Sequence, residues 1–162
     1  MSMEKGLNDQ LNMEFQAAYL YLGMAAYVET LNLPGFAHWM QEQAKEEVGH
    51  AMRFYSFITD RGMSVTLKGI EAAPTTYSSL TEVFESALEN EKAVTQSIHD
   101  LYRLADTEGD FGAHPLLEEF AVEQLEEEKS VTYVLDALRR IGEDGTGLFL
   151  LDRDLSQRQP EA

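Results

Sequence analysis

The chain has 162 residues, 29 acidic against 12 basic side chains for a net charge of −17, 44% apolar residues and no cysteine. That length suits one hydrophobic core, so a single domain over residues 1–162 is expected; the charge makes nucleic acid and anionic membranes poor partners and cations favoured ligands. Without cysteine there are no disulfides, thiolate metal sites or thiol nucleophiles, and no apolar run approaches the ~20 residues that span a bilayer. The start, Met1-Ser2-Met3-Glu4-Lys5, enters an amphipathic pattern with no apolar stretch or small-residue cleavage site. Neither a membrane helix nor a cleaved export signal is expected, and a cytoplasmic location follows as the expectation.

Helical periodicity begins near Met3 and runs to Leu31. Asn32-Leu33-Pro34-Gly35 then breaks it, with Pro34 suited to open a second helix that reaches Arg61 and stops at Gly62. From Met63 to Ser78 the periodicity is lost and Gly69, Pro74 and several Ser and Thr residues collect, a connection long enough to run the length of a bundle. Ser79-Leu80-Thr81-Glu82 is a capping box opening a third helix to about Ala105. An acidic turn, Asp106 to His114, leads to Pro115 at the start of a fourth helix ending near Ile141-Gly142, and Leu148 to about Gln157 forms a last short amphipathic piece. Two tight connections flanking one long crossover describe an all-α fold, a four-helix bundle with a short C-terminal fifth helix.

Steps of three and four trace the seam of each helix, and each seam contains an acid. The first carries Glu14 between Leu11 and Ala18, and the second carries Glu47 and His50 between Met40 and Phe54, continuing to Phe57. Glu91 lies between Ala87 and Val94 on the third, and Glu127 between Phe120 and Val131 on the fourth. Four carboxylates at mid-seam would repel one another and resist burial, so a positive charge must sit among them. No Lys or Arg occupies these central positions, and coordination of a metal removes the cost.

Glu47 and His50 form Glu-x-x-His, whose spacing puts a carboxylate and an imidazole on one face of a helix, within reach of the same ion. Carboxylates with one imidazole and no thiolate favour iron or manganese, and redox-active iron is the reading adopted. Tyr21, one heptad beyond Glu14, is expected beside that ligand, and Gln124, one turn before Glu127, is expected to bind a metal-bound water. Glu46, Glu123 and Glu126 with Glu127 form either a third cation site or a solvated acidic face. His38, His99 and His114 lack such partners and read as surface or turn residues.

Asn12-Met13-Glu14 with Tyr21, Lys45-Glu46-Glu47-Val48-Gly49-His50, Glu91, and Glu123-Gln124-Leu125-Glu126-Glu127-Glu128-Lys129 resemble the bacterial non-haem ferritins across essentially the whole chain. Gly147-Leu148-Phe149-Leu150-Leu151-Asp152 is similar to the start of that family's fifth helix. The resemblance implies that Glu14, Glu47 and His50 hold one iron and that Glu47 bridges to a second held by Glu91 and Glu127. It also implies a third iron site at Glu46, Glu123, Glu126 and Glu127, with Tyr21 and Gln124 in supporting positions. A 24-subunit homo-oligomeric shell is implied, which oxidises Fe(II) with dioxygen or peroxide and stores a ferric mineral. Val48 stands where bacterioferritins carry a haem-ligating methionine, and Ser130 where they carry a second histidine, so no haem is expected. The rival readings are a di-iron oxidase acting on another substrate and a cation-buffering shell without fast oxidation.

Overall fold

The computed structural model describes residues 2–159; Met1 and residues 160–162, which belong to the sequence readings of the N-terminus and of the single-domain span, lie outside the described residues. Five helices follow in order: α1 (Met3–Thr30), α2 (Pro34–Asp60), α3 (Leu80–Glu108), α4 (His114–Ile141) and α5 (Gly145–Leu155). The helix ends follow local chemistry. Ser2 caps α1 through its hydroxyl, which accepts from the Lys5 N–H at 3.3 Å, and Ser79 does the same for Glu82 at the start of α3. The Glu82 carboxylate completes that cap by accepting from the Ser78 N–H. Gly62, Gly109 and Gly142 turn the chain at helix ends with positive φ, and so does Asn32 between α1 and α2 at φ 57°.

Two boundaries differ from expectation. α3 runs on to Glu108 because the glycine able to adopt the left-handed stop is Gly109, not a residue after Ala105. α5 starts at Gly145 rather than Leu148, since Asp144 caps it by accepting from the Thr146 and Gly147 N–H groups at 3.2 and 3.1 Å. That cap offsets the helix-weakening effect of two glycines in its first turn.

The crossover, residues 61–79, has no regular partner for its backbone, and α1 supplies one with side-chain amides. Asn8 donates to the Ser64 carbonyl at 2.9 Å and accepts from the Thr66 N–H at 2.6 Å. Asn12 repeats the pattern with Thr66 and Lys68 at 2.8 and 2.7 Å, and Gln16 with Glu71. The three amides stand four residues apart, so one face of α1 fixes the path of an extended segment. Further along, a Cβ on Gly23 would stand 2.6 Å from the Ala73 Cβ, and the missing side chain is what lets the crossover lie close to α1.

Packing is divided rather than continuous. One apolar cluster gathers Tyr21, Phe36, Trp39, Met40, Phe84 and Leu138 with their neighbours; the other gathers Leu7, Leu11, Phe54, Ile98, Leu101 and Phe120. The acids Glu14, Glu47, Glu91 and Glu127 fall between the clusters on every long helix. α1 packs on both α2 and α3, and α3 on α4, while α2 and α4 are joined mainly through side chains such as the stacked rings of Phe54 and Phe120, 4.5 Å apart. After Phe54 the inner face of α2 turns to Ile58, leaving Phe57 only half-buried, because 3.6 residues per turn drift from a strict heptad.

α5 seals one end of the bundle. Asp152 accepts from the Gly35 and Phe36 N–H groups at 2.9 and 3.0 Å, satisfying free donors at the start of α2, which has no cap of its own. The chains meet so closely there that a Cβ on Gly35 would lie 1.7 Å from the Asp152 carbonyl oxygen.

Removing one rung of the amide ladder tests how the crossover is held. Asn8→Ala leaves the exposed Thr66 N–H to water in place of its acceptor and is expected to cost about 0.5–1.5 kcal/mol locally. Hydrogen exchange at the Thr66 amide should accelerate while the amides of α3 and α4 keep their protection; unchanged exchange at Thr66 would refute the assignment.

Candidate metal centre

The polar belt is built from the middle of each long helix. Glu14, Glu47, Glu91 and Glu127 are 0%, 1%, 0% and 5% exposed, and His50 is 6% exposed, so water does not offset their charge. Ligand atoms of Glu14, Glu47 and His50 all lie within 4.8 Å of one another, and the same is true of Glu46, His50 and Glu127. His50 Nδ1 is 3.2 Å from Glu47 Oε2, as the i, i+3 spacing requires. Glu14 Oε2 and Glu47 Oε1 are buried with no hydrogen-bond partner among the described residues, as is Gln43 Oε1. Buried oxygens without a donor are costly, and a cation between them removes that cost.

Three buried glutamines hold three of the acids. Gln10 Nε2 donates to Glu14 at 2.7 Å, Gln43 Nε2 to Glu127 at 2.9 Å, and Gln124 Nε2 to the Glu91 carboxylate and carbonyl at 3.3 and 3.2 Å. Tyr21 donates its hydroxyl to Glu91 rather than standing against Glu14, because its ring crosses from α1 towards α3 and packs edge-on to Trp39. Gln124 likewise binds Glu91 directly, where a metal-bound water was expected. Sequence does not single out Gln10 or Gln43; their one signal is position, Gln10 one turn before Glu14 and Gln43 one turn before Glu47.

The gathered donors fit iron: carboxylate oxygens of Glu14 and Glu47 with His50, and of Glu46 and Glu127 with His50, no sulfur, and unpartnered oxygens on Glu14 and Glu47, while Glu91 joins neither group. A ferritin-like domain profile matches residues 4–141. The chain belongs to the ferritin family. It is 38% identical over 158 residues to a probable bacterial non-heme ferritin-like protein of Haemophilus influenzae, covering 98% of this chain and 96% of that one. A bacterial non-heme ferritin of Staphylococcus epidermidis is 40% identical over 152 residues, 94% of this chain and 92% of its own. An Archaeoglobus fulgidus ferritin engineered to a closed form superposes with a TM-score of 0.96 at 42% identity, covering 98% and 97% of the two chains. Family and fold together support iron storage coupled to iron oxidation as the function.

In this ferritin the acids proposed for a third site divide. Glu46, Glu123, Glu126 and Glu127 line one pocket of about 170 Å³, but Glu46 and Glu127 are well covered whereas Glu126 is exposed. The remaining histidines stand apart from the belt. His99 is exposed as expected; His38 and His114 are half-buried instead, His38 with Nε2 2.9 Å from the Arg158 carbonyl and His114 stacked on Tyr102 and 3.1 Å from Asp106. Among the described residues no helix is long and apolar enough to cross a membrane.

Burial raises the carboxyl pKa of Glu14 from 4.5 to about 8, with repulsion from Glu47 adding to it. Glu91 rises to about 7 through burial and the charge of Glu127, partly offset by the Tyr21 and Gln124 hydrogen bonds. Glu47 is also raised well above the ordinary range by burial and by Glu91 and Glu127. Each raised group contributes stability that is complete below pH 4.5 and is lost as pH climbs through its folded value. The metal-free protein should therefore lose melting temperature between about pH 4.5 and 8 from these groups, and Glu14→Gln should flatten that slope. An identical slope in the variant would exclude Glu14 as a source.

Metal ligation demands the ionised forms, so loading must expel protons. Adding Mn(II) at pH 6 in weak buffer is expected to release at least about one proton per subunit. Tyr21→Phe removes a bond that favours ionised Glu91 and should move half-loading to higher pH. A shift to lower pH would contradict the role given to the hydroxyl.

Proposed function

We propose that this ferritin oxidises Fe(II) at a two-iron centre within the subunit and stores the ferric product in a shell of 24 subunits. The observation that carries the reading is the belt itself: four buried carboxylates and His50, drawn from four helices, with oxygens that no protein donor satisfies. Fe(II) is the substrate. Glu14, Glu47 and His50 bind one ion, and Glu47 is shared with a second bound by Glu91 and Glu127.

Two Fe(II) ions supply two electrons to one dioxygen or one peroxide, which neither could supply alone. The protein contributes position and charge. Glu14 and Glu91, whose carboxyls hold protons to higher pH than free ones, give them up to solvent as Fe(II) binds and so neutralise part of the arriving charge. The Gln10, Gln43 and Gln124 amides and the Tyr21 hydroxyl hold the acids in orientation while the metal charge changes. Glu46, Glu123, Glu126 and Glu127 take a third cation on its way from the centre. Haem has no place in this reading, since Val48 and Ser130 offer no such ligand.

Assembly is supported by large apolar side chains left on the surface of a single subunit. Leu22, Val122, Leu125 and Phe149 are 50% to 69% exposed, and an assembled shell would cover them.

Aerobic addition of Fe(II) to metal-free protein, followed optically, compares the wild type with a Glu47→Ala, His50→Ala double variant. Fast oxidation should fall by at least about a hundredfold in the variant, and iron should elute with a large wild-type assembly. Equal rates would sink the centre. Fast oxidation with no iron retained would instead favour an oxidase of another substrate.

A further inference from the structure

The pocket beside the two-iron belt is already supplied with cations by the chain itself. Arg158 Nη2 is 2.8 Å from Glu46 Oε2, Arg53 Nη1 is 2.7 and 2.6 Å from the two oxygens of Glu123, and Lys129 Nζ is 3.3 Å from Glu126. These pairs are not equivalent. Lys129 and Glu126 are both largely exposed, where an ion pair contributes little, whereas the side chains of Arg158 and Glu46 are only 17% and 10% exposed.

Arg158 is also seated with care for a residue just beyond α5. Its guanidinium lies over the Trp39 ring at 4.7 Å, Nη1 is 3.4 Å from the Trp39 carbonyl, and its own carbonyl is 2.9 Å from His38 Nε2. The docking of Asp152 on the start of α2 brings the segment there. Ligand atoms of Glu46 and Glu127, both on the wall of that pocket, lie within 4.8 Å of each other.

We propose that Arg158 is a built-in competitor for the third cation: its guanidinium holds Glu46 in the metal-free protein, and a cation reaching the pocket takes Glu46 only by displacing it. The inference rests on the two-iron reading for the source of that cation. Exchange of one positive group for another explains how acids can be gathered beside the centre without a resident ion. It also sets selectivity. A monovalent ion gains no charge over the guanidinium it replaces, while a di- or trivalent ion does, so the pocket passes multivalent ions and holds them weakly enough to release them.

Zn(II), which undergoes no oxidation, is the probe, titrated calorimetrically into assembled metal-free protein. The wild type is expected to show two tighter ions per subunit and a weak third. Arg158→Gln should tighten the third by roughly tenfold to a hundredfold, the strength of a hydrogen bond to a charged group. Arg158→Lys keeps a cation and should stay nearer the wild type, and adding Glu46→Gln to Arg158→Gln should abolish the gain. An unchanged or weaker third site in Arg158→Gln, with a lower melting temperature, would overturn the proposal and leave Arg158 as an anchor of α5. Loss of the two tighter sites from the wild type itself would instead refute the two-iron reading, an outcome that the Arg158 variants cannot produce.

Discussion

Four carboxylates confined between two apolar clusters govern the rest of this molecule. In water they would ionise freely; burial strips that hydration and their mutual repulsion adds to the cost, which is why Glu14 and Glu91 are pushed up to about 8 and about 7. Glu14, Glu47 and Glu91 therefore keep their protons to higher pH than free carboxyls do. On the two-iron reading proposed above, metal and protons compete for the same oxygens, so binding, stability and pH are linked at one place.

The surroundings of the belt are arranged to tolerate both states. Amide donors from Gln10, Gln43 and Gln124 can serve a carboxylate whether or not it is protonated, because each glutamine carries donor and acceptor together. The apolar clusters on either side of the belt hold the helices in place, and α2 and α4 are bridged across the belt by side chains such as Gln43 and Glu127. Outside the belt, arginines pair with the acids. Arg53 joins Glu119 and Glu123 while lying over Phe120, and Arg158 joins Glu46 while lying over Trp39. Both guanidinium groups lie over an aromatic face in a partly dry setting.

The crossover shows how much of a fold can rest on side-chain amides. A connection that must run the length of a bundle has no strand or helix to satisfy its backbone, and Asn8, Asn12 and Gln16 provide a substitute at a spacing of four. The same period that puts Glu14 inside the bundle puts these amides on the side of α1 that receives the crossover. One helix therefore fixes both the site and the connection that makes α2 and α3 parallel.

By itself the sequence determined the helices, the seam and the membership of the belt, because hydrophobic period and capping residues are local and a carboxylate in place of Leu or Ile is visible in any such pattern. The positions of Glu14, Glu47, His50, Glu91 and Glu127 were legible for that reason. Tertiary structure alone decided which acid each donor serves. Tyr21 reaches Glu91 across the bundle rather than its neighbour Glu14, and Gln43 reaches Glu127, since these depend on the separation and rotation of helices far apart in the chain. Arg158 is the extreme case: it lies 112 residues from Glu46, outside every periodic pattern, and its role follows only from the way α5 folds back on the start of α2.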